Sequence, residues 1–119
     1  MARPEAKERD RFIAAVGTLP GVLAHRCESN GRNAYNVQAL PDGFPDVLFA
    51  AGGRIYLLEW KAKRGRLEAS QEVYHRAMLA AGYLVLIPRD ARACCLELAA
   101  LVGGEVGAAL VKAAESLAE

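Results

Sequence analysis

Two strands folded about one turn can be read in the run Gly43-Phe44-Pro45-Asp46-Val47-Leu48-Phe49-Ala50-Ala51-Gly52-Gly53-Arg54-Ile55-Tyr56-Leu57-Leu58-Glu59-Trp60-Lys61. Gly43 to Pro45 is a turn, and residues 46–50 are continuously apolar after Asp46, as a buried strand requires. Ala51-Gly52-Gly53 has hairpin chemistry, because glycine enters positive φ freely. Residues 54–61 then form a second strand, antiparallel to the first. Side chains alternate along a strand, so Ile55, Leu57, Glu59 and Lys61 share one face and Tyr56, Leu58 and Trp60 the other. If the turn pairs Ala50 with Arg54, Asp46 faces residue 58, about one residue from Glu59.

On either side of this hairpin the pattern changes. Residues 3–19 read as a helix: Pro4 suits a first turn, Glu5 and Glu8 suit the positive helix end, and Glu8, Phe12 and Val16 recur on one stripe. Pro20-Gly21 stops it. Residues 22–27 read as a short strand and 28–36 as a polar loop. Downstream, Ser70 is expected to cap a helix reaching Ala81, with Gly82 just beyond its end. Residues 83–87 read as a third buried strand ended by Pro88. Asp90 caps a helix through about Leu101, and residues 106–117 have helical periodicity. The expected class is α/β, a small mixed sheet flanked by helices in one domain over residues 1–119.

Composition narrows the function classes. With 53% hydrophobic residues the chain can build a core, and Lys+Arg 15 against Asp+Glu 14 leaves a net charge of only +1. Nucleic-acid binding would therefore need local positive charge. Lys61, Lys63, Arg64 and Arg66 offer it, although a solvated turn would look the same. No apolar run approaches the ~20 residues of a bilayer span, and residues 1–10 lack a secretory apolar stretch. Cys27, Cys94 and Cys95 match neither a disulfide framework nor a zinc pair. A reduced, cytoplasmic protein is expected.

The chemistry lies in polar residues placed where the pattern calls for apolar ones. Glu59 and Lys61 end an otherwise buried strand, and a buried charge needs a partner, a metal or water. Two carboxylates, Asp46 and Glu59, meeting where the sheet opens would suit a hard divalent cation. The plain alternative is a Glu59–Lys61 salt bridge with Asp46 capping a turn. His75 shares a helical face with Gln71 and reads as an exposed or satisfied histidine rather than a phosphate contact; His25 follows an apolar strand. Cys94-Cys95 reads as core packing. Tyr35, with Arg32 and Asn33, reads as a surface residue with base stacking as the rival.

Pro45-Asp46 followed, after twelve intervening residues, by Glu59-Trp60-Lys61 resembles the PD-(D/E)xK nucleases. The longer ordered set resembles the VRR-NUC (virus-type replication-repair nuclease) domain: Gly43-Phe44-Pro45-Asp46, then Glu59-Trp60-Lys61 with the basic Arg64-Gly65-Arg66 turn, then Gln71, then Ala80-Ala81-Gly82-Tyr83. The likeness is firm over residues 43–87, plausible over the first helix and absent as a residue match after Arg89.

The resemblance implies a restriction-endonuclease-like core and a Mg²⁺- or Mn²⁺-dependent endonuclease. Asp46, Glu59 and the Trp60 carbonyl would hold the metal. Lys61 would serve the attacking water or the scissile phosphate, and Gln71 would position water or phosphate. Glu8 is the best match to the family's first-helix acid, with Glu5 competing. Lys63, Arg64 and Arg66 would contact backbone phosphates. Single-domain relatives imply homodimers cutting branched DNA such as four-way junctions, in a bacterial or phage-infected cell. The alanine-rich C-terminal helices are a candidate dimer surface, though residues 106–117 would equally pack on their own sheet. The rivals are a non-catalytic DNA-binding module, a sequence-specific restriction-type enzyme and a protein-interaction domain.

Overall fold

The computed structural model describes residues 3–27 and 43–117; Arg32, Asn33 and Tyr35 lie outside them. The elements run α1 (Pro4–Val16), β1 (Val22–Arg26), β2 (Val47–Ala51), β3 (Arg54–Leu58), α2 (Ala69–Ala80), β4 (Leu84–Leu86), α3 (Ala91–Val102) and α4 (Gly104–Leu117). The strands form one mixed sheet in the order β1-β2-β3-β4. β1–β2 and β2–β3 are antiparallel, while β3–β4 is parallel with α2 as its crossover. The expected α/β class, with a small mixed sheet flanked by helices, is what the chain adopts.

The hairpin register differs from expectation by one residue. Gly52 and Gly53 both have positive φ, 62° and 77°, so the loop has two residues and Ala51 faces Arg54. Two successive positive-φ residues match the twist of antiparallel strands. Val47 therefore pairs with Leu58, and the same register carried one step further sets Asp46 opposite Glu59. The second strand also ends earlier than expected, at Leu58. Beyond it the backbone continues alongside β4, with the Glu59 and Lys61 amides donating to the carbonyls of Leu86 (2.9 Å) and Pro88 (3.2 Å).

One face of the sheet carries the core. Val47, Phe49, Tyr56, Leu58, Trp60 and Leu86 pack with Phe12 and Val16 of α1, Cys94, Cys95 and Leu98 of α3, and Leu110 of α4. Phe12 contacts the rings of Trp60 and Phe49, at centroid distances of 5.5 and 6.0 Å. Cys94 and Cys95 are core residues as expected, and burial pushes both thiols well up. α4 turns Leu110, Ala113 and Ala114 into this core by packing against α3 and α1 rather than directly on the sheet, where residues 106–117 are expected to pack if not in a dimer. Gly107 permits the close approach of α4 to α3, since a Cβ there would lie 2.8 Å from the Ala99 carbonyl oxygen.

Several boundaries and environments differ from the sequence reading. α1 ends at Val16 rather than Leu19, and the Gly17 amide closes its last turn on Ile13. α2 is capped by Glu68 and not Ser70, because the Gln71 side chain reaches back to the Glu68 amide. β4 is not a buried strand: it is a sheet edge with Leu84 39% exposed and Leu86 alone of its residues buried. Asp90 caps α3 as expected, accepting from the Ala93 amide at 2.8 Å. Among the described residues, no helix is long and apolar enough to cross a membrane.

Candidate functional site

Alternation along β3 and its extension sends Trp60 into the core and Glu59 to the opposite face, under α2. Glu59 is 2% exposed, the one charged side chain among the described residues that is fully buried. Its Oε2 accepts a 3.0 Å hydrogen bond from Gln71 Nε2, while Gln71 Oε1 accepts from the Glu68 amide at 2.8 Å. The Gln71 amide is thus held at both ends, by the helix cap and by the carboxylate. Asp46 lies across from Glu59, and its Oδ2 accepts from the Trp60 amide at 2.9 Å.

Glu59 Oε1 has no hydrogen-bond partner, and neither has His75 Nε2, 3.6 Å away. Burial first, then the neighbouring Asp46 carboxylate, pushes the Glu59 carboxyl up to about 9; the Lys61 charge opposes this. Burial and the Lys61 charge press the His75 imidazole below its ordinary value. The expectation of an exposed or satisfied His75 is therefore corrected. Its side chain is 11% exposed, because the face of α2 that carries Gln71 also turns residue 75 toward Glu59.

Asp46, Glu59 and Gln71, but not His75, line one polar cleft of about 520 Å³, together with Trp60, Lys61 and Glu68. Arg3, which precedes α1, and Glu5, Ala6 and Arg9 of α1 form the opposing wall. Gly43 shapes its floor, with φ at +89° and its backbone so close to the Ser70 carbonyl that no Cβ fits between them. Phe44 is anchored edge-on to Tyr74 at 6.2 Å. Together these contacts fix the loop that delivers Asp46.

Asp46, Glu59, Lys61 and Gln71, named from sequence, are brought together. Glu8 is not. It accepts from Arg11 at 2.8 Å and from the Ala91 amide at 2.8 Å, so it caps α3, and Glu5 is the first-helix acid on the cleft. The stripe shared with Phe12 and Val16 points Glu8 toward α3, about 60° round the helix axis from Glu5. Lys63, Arg64 and Arg66 are exposed just past the cleft and do not line it. Lys61 makes no ion pair with Glu59 within 4.0 Å among the described residues, contrary to the salt-bridge alternative.

No protein-family model matches the chain, and no curated protein matches it. The site is therefore read on its own chemistry. Among the described residues, no three His, Cys, Asp or Glu side chains gather as a metal cage. A smaller donor set suffices for Mg²⁺, which is commonly held by one or two carboxylates plus water and substrate oxygens. Asp46 and the unpartnered oxygen of Glu59 fit that requirement.

Sequence reasoning missed Arg3 and Arg9, and it missed Arg89. The Arg89 guanidinium donates to the Ala62 and Gly65 carbonyls (2.7 Å for the latter) and clamps the basic turn. Arg9 was legible as cleft-facing, being four residues from Glu5 and so on its helical stripe. Arg89 carried no local signal, since its partners lie more than twenty positions away.

Proposed function

We propose that the chain is a metal-dependent deoxyribonuclease with a restriction-endonuclease-like core of the VRR-NUC kind, hydrolysing phosphodiester bonds of branched DNA as a homodimer. The observation that carries this reading is the shared cleft in which Asp46, Glu59, Lys61 and Gln71 converge, Glu59 being buried there beside a second carboxylate. Burying a carboxylate beside a second one is costly, and a protein that retains such a pair gains by neutralising it with a cation.

Asp46 and Glu59, with the Trp60 carbonyl between Glu59 and Lys61, would hold Mg²⁺ or Mn²⁺. The bound cation would supply Lewis acidity and a water of lowered pKa. The protein's own groups do the rest. The Trp60 amide fixes the Asp46 carboxylate, and Gln71 fixes Glu59, so both acids are oriented before substrate arrives. Lys61 sets a compact positive charge on the same cleft, where charge develops on the phosphoryl oxygens. Lys63, Arg64 and Arg66, on the turn held by Arg89, would grip flanking phosphates without reading bases.

The test is cleavage of labelled linear duplex, single strand, flap and four-way junction DNA, with and without Mg²⁺ or Mn²⁺. Metal-dependent cutting is expected with the junction preferred, and Glu59→Ala is expected to abolish it while DNA binding persists. Full activity in Glu59→Ala would remove the site assignment. Salt-sensitive binding without cutting by the wild-type chain would establish a non-catalytic DNA-binding module instead.

A further inference from the structure

We propose that Arg9 is a phosphate-binding residue, its guanidinium fork taking one backbone phosphate of the DNA strand from the wall of the cleft opposite Lys61. This rests on the nucleic-acid reading above and adds to it a contact that the sequence resemblance does not contain.

A guanidinium that sits among carboxylates and pairs with none of them carries it. Arg9 lines the cleft with Glu5, Asp46, Glu59 and Glu68, and its side chain is only 16% exposed. Among the described residues its one ion pair is with Asp10, which does not line the cleft, from Nε at 3.0 Å. Glu5 stands one turn earlier on the same stripe, a favourable spacing for a helix ion pair, yet it pairs with Arg3 at 3.8 Å instead. Asp46 accepts from the Trp60 amide, and Glu59 accepts from Gln71.

The Asp10 contact does not account for Arg9. Successive residues on a helix do not face one another, and Asp10 is exposed, so the pair is screened by water and worth little. It also engages Nε alone, which leaves the two terminal nitrogens of the fork for a ligand. A largely buried guanidinium needs acceptors, and those two nitrogens are spaced for two oxygens of one phosphate. Arg3 has neither property, being exposed and already paired with Glu5. Lys61 reaches the same cleft from the other wall. A strand lying in the cleft is thus held from both sides, and Lys63, Arg64 and Arg66 meet it beyond the exit.

The probe is four-way junction DNA, unmodified or carrying a single neutral methylphosphonate at each position near the branch. It is titrated with wild type and Arg9→Gln at several salt concentrations, with divalent metal omitted. One methylphosphonate is expected to weaken wild-type binding about tenfold but Arg9→Gln binding less than about twofold, because the charge it removes has already lost its partner. The slope of log affinity against log salt should be smaller by about one in Arg9→Gln. Either an unchanged slope or an unchanged methylphosphonate profile overturns the proposal. ¹⁵N-arginine spectra of the wild-type chain keep the test decisive should Arg9→Gln misfold. The Arg9 guanidinium signal is expected to shift when the junction binds, and to shift least with the methylphosphonate at the contact position; an unmoved signal overturns the proposal. Failure of wild type to bind the junction at any salt overturns the nucleic-acid reading itself, whereas binding in which Arg9 takes no part overturns this proposal alone.

Discussion

At the scale of single residues, the cleft is organised by what each polar atom touches. Glu59 is the costliest group, since burial and Asp46 both oppose its ionisation. Gln71 offsets part of that cost with a hydrogen bond to the carboxylate. Lys61 has a different position, lining the cleft without an ion pair to Glu59, and so remains available to an anionic substrate. Lys61→Ala is therefore expected to lower kcat by at least about a hundredfold while changing DNA affinity by less than about threefold. Single-turnover cleavage beside an equilibrium binding isotherm checks this. A loss confined to affinity would make Lys61 a phosphate contact only.

At the scale of elements, the decisive joints are the turn before β2 and the junction of α1 with α3. Gly43 sits at positive φ with its backbone against the first turn of α2. Gly43→Ala is expected to cost about 1–3 kcal/mol of unfolding free energy in urea. Activity should fall with it, because the same loop carries Asp46; wild-type stability would show that the loop yields freely. Glu8 ties α1 to the start of α3 through the Ala91 amide. Burial alone would raise its carboxyl, but the bonds from Ala91 and Arg11 outweigh that and hold it below its ordinary value. Such a group stabilises the fold above the unfolded pKa, and the contribution is lost as pH falls through the folded value. Wild type is thus expected to exceed Glu8→Gln in urea midpoint above about pH 5, with the gap closing on acidification. A gap independent of pH would mean that shape, not charge, matters at this joint.

At the scale of the whole molecule, near-neutral net charge makes the placement of cations more important than their number. Lys61 lines the cleft, Lys63, Arg64 and Arg66 stand at its exit, and Arg3 and Arg9 form the far wall. Counterion release makes each lost phosphate contact visible as a shallower salt dependence. Arg64→Ala is expected to reduce the slope of log affinity against log salt by about one. Titrations of four-way junction DNA at several salt concentrations, with Mg²⁺ omitted, read that slope directly. An unchanged slope would take Arg64 off the contact surface.

Local chemistry alone was enough for the hairpin, the Asp90 cap, the core stripe of Phe12 and Val16 and the neighbourhood of Asp46 with Glu59. Each depends on residues close in sequence or on strand alternation. The exact register needed the two-residue glycine turn to be counted correctly, and the edge character of β4 needed the strand order. Only tertiary structure decided between Glu5 and Glu8, because both suit a first turn and α3 claims one of them. The same holds for His75, which helical periodicity puts beside Gln71 but whose Nε2 comes to face Glu59 only in the folded chain. Arg89 joins the basic turn through backbone carbonyls distant in sequence. A side chain's type shows what chemistry it offers; its partner is set by which elements the core brings together.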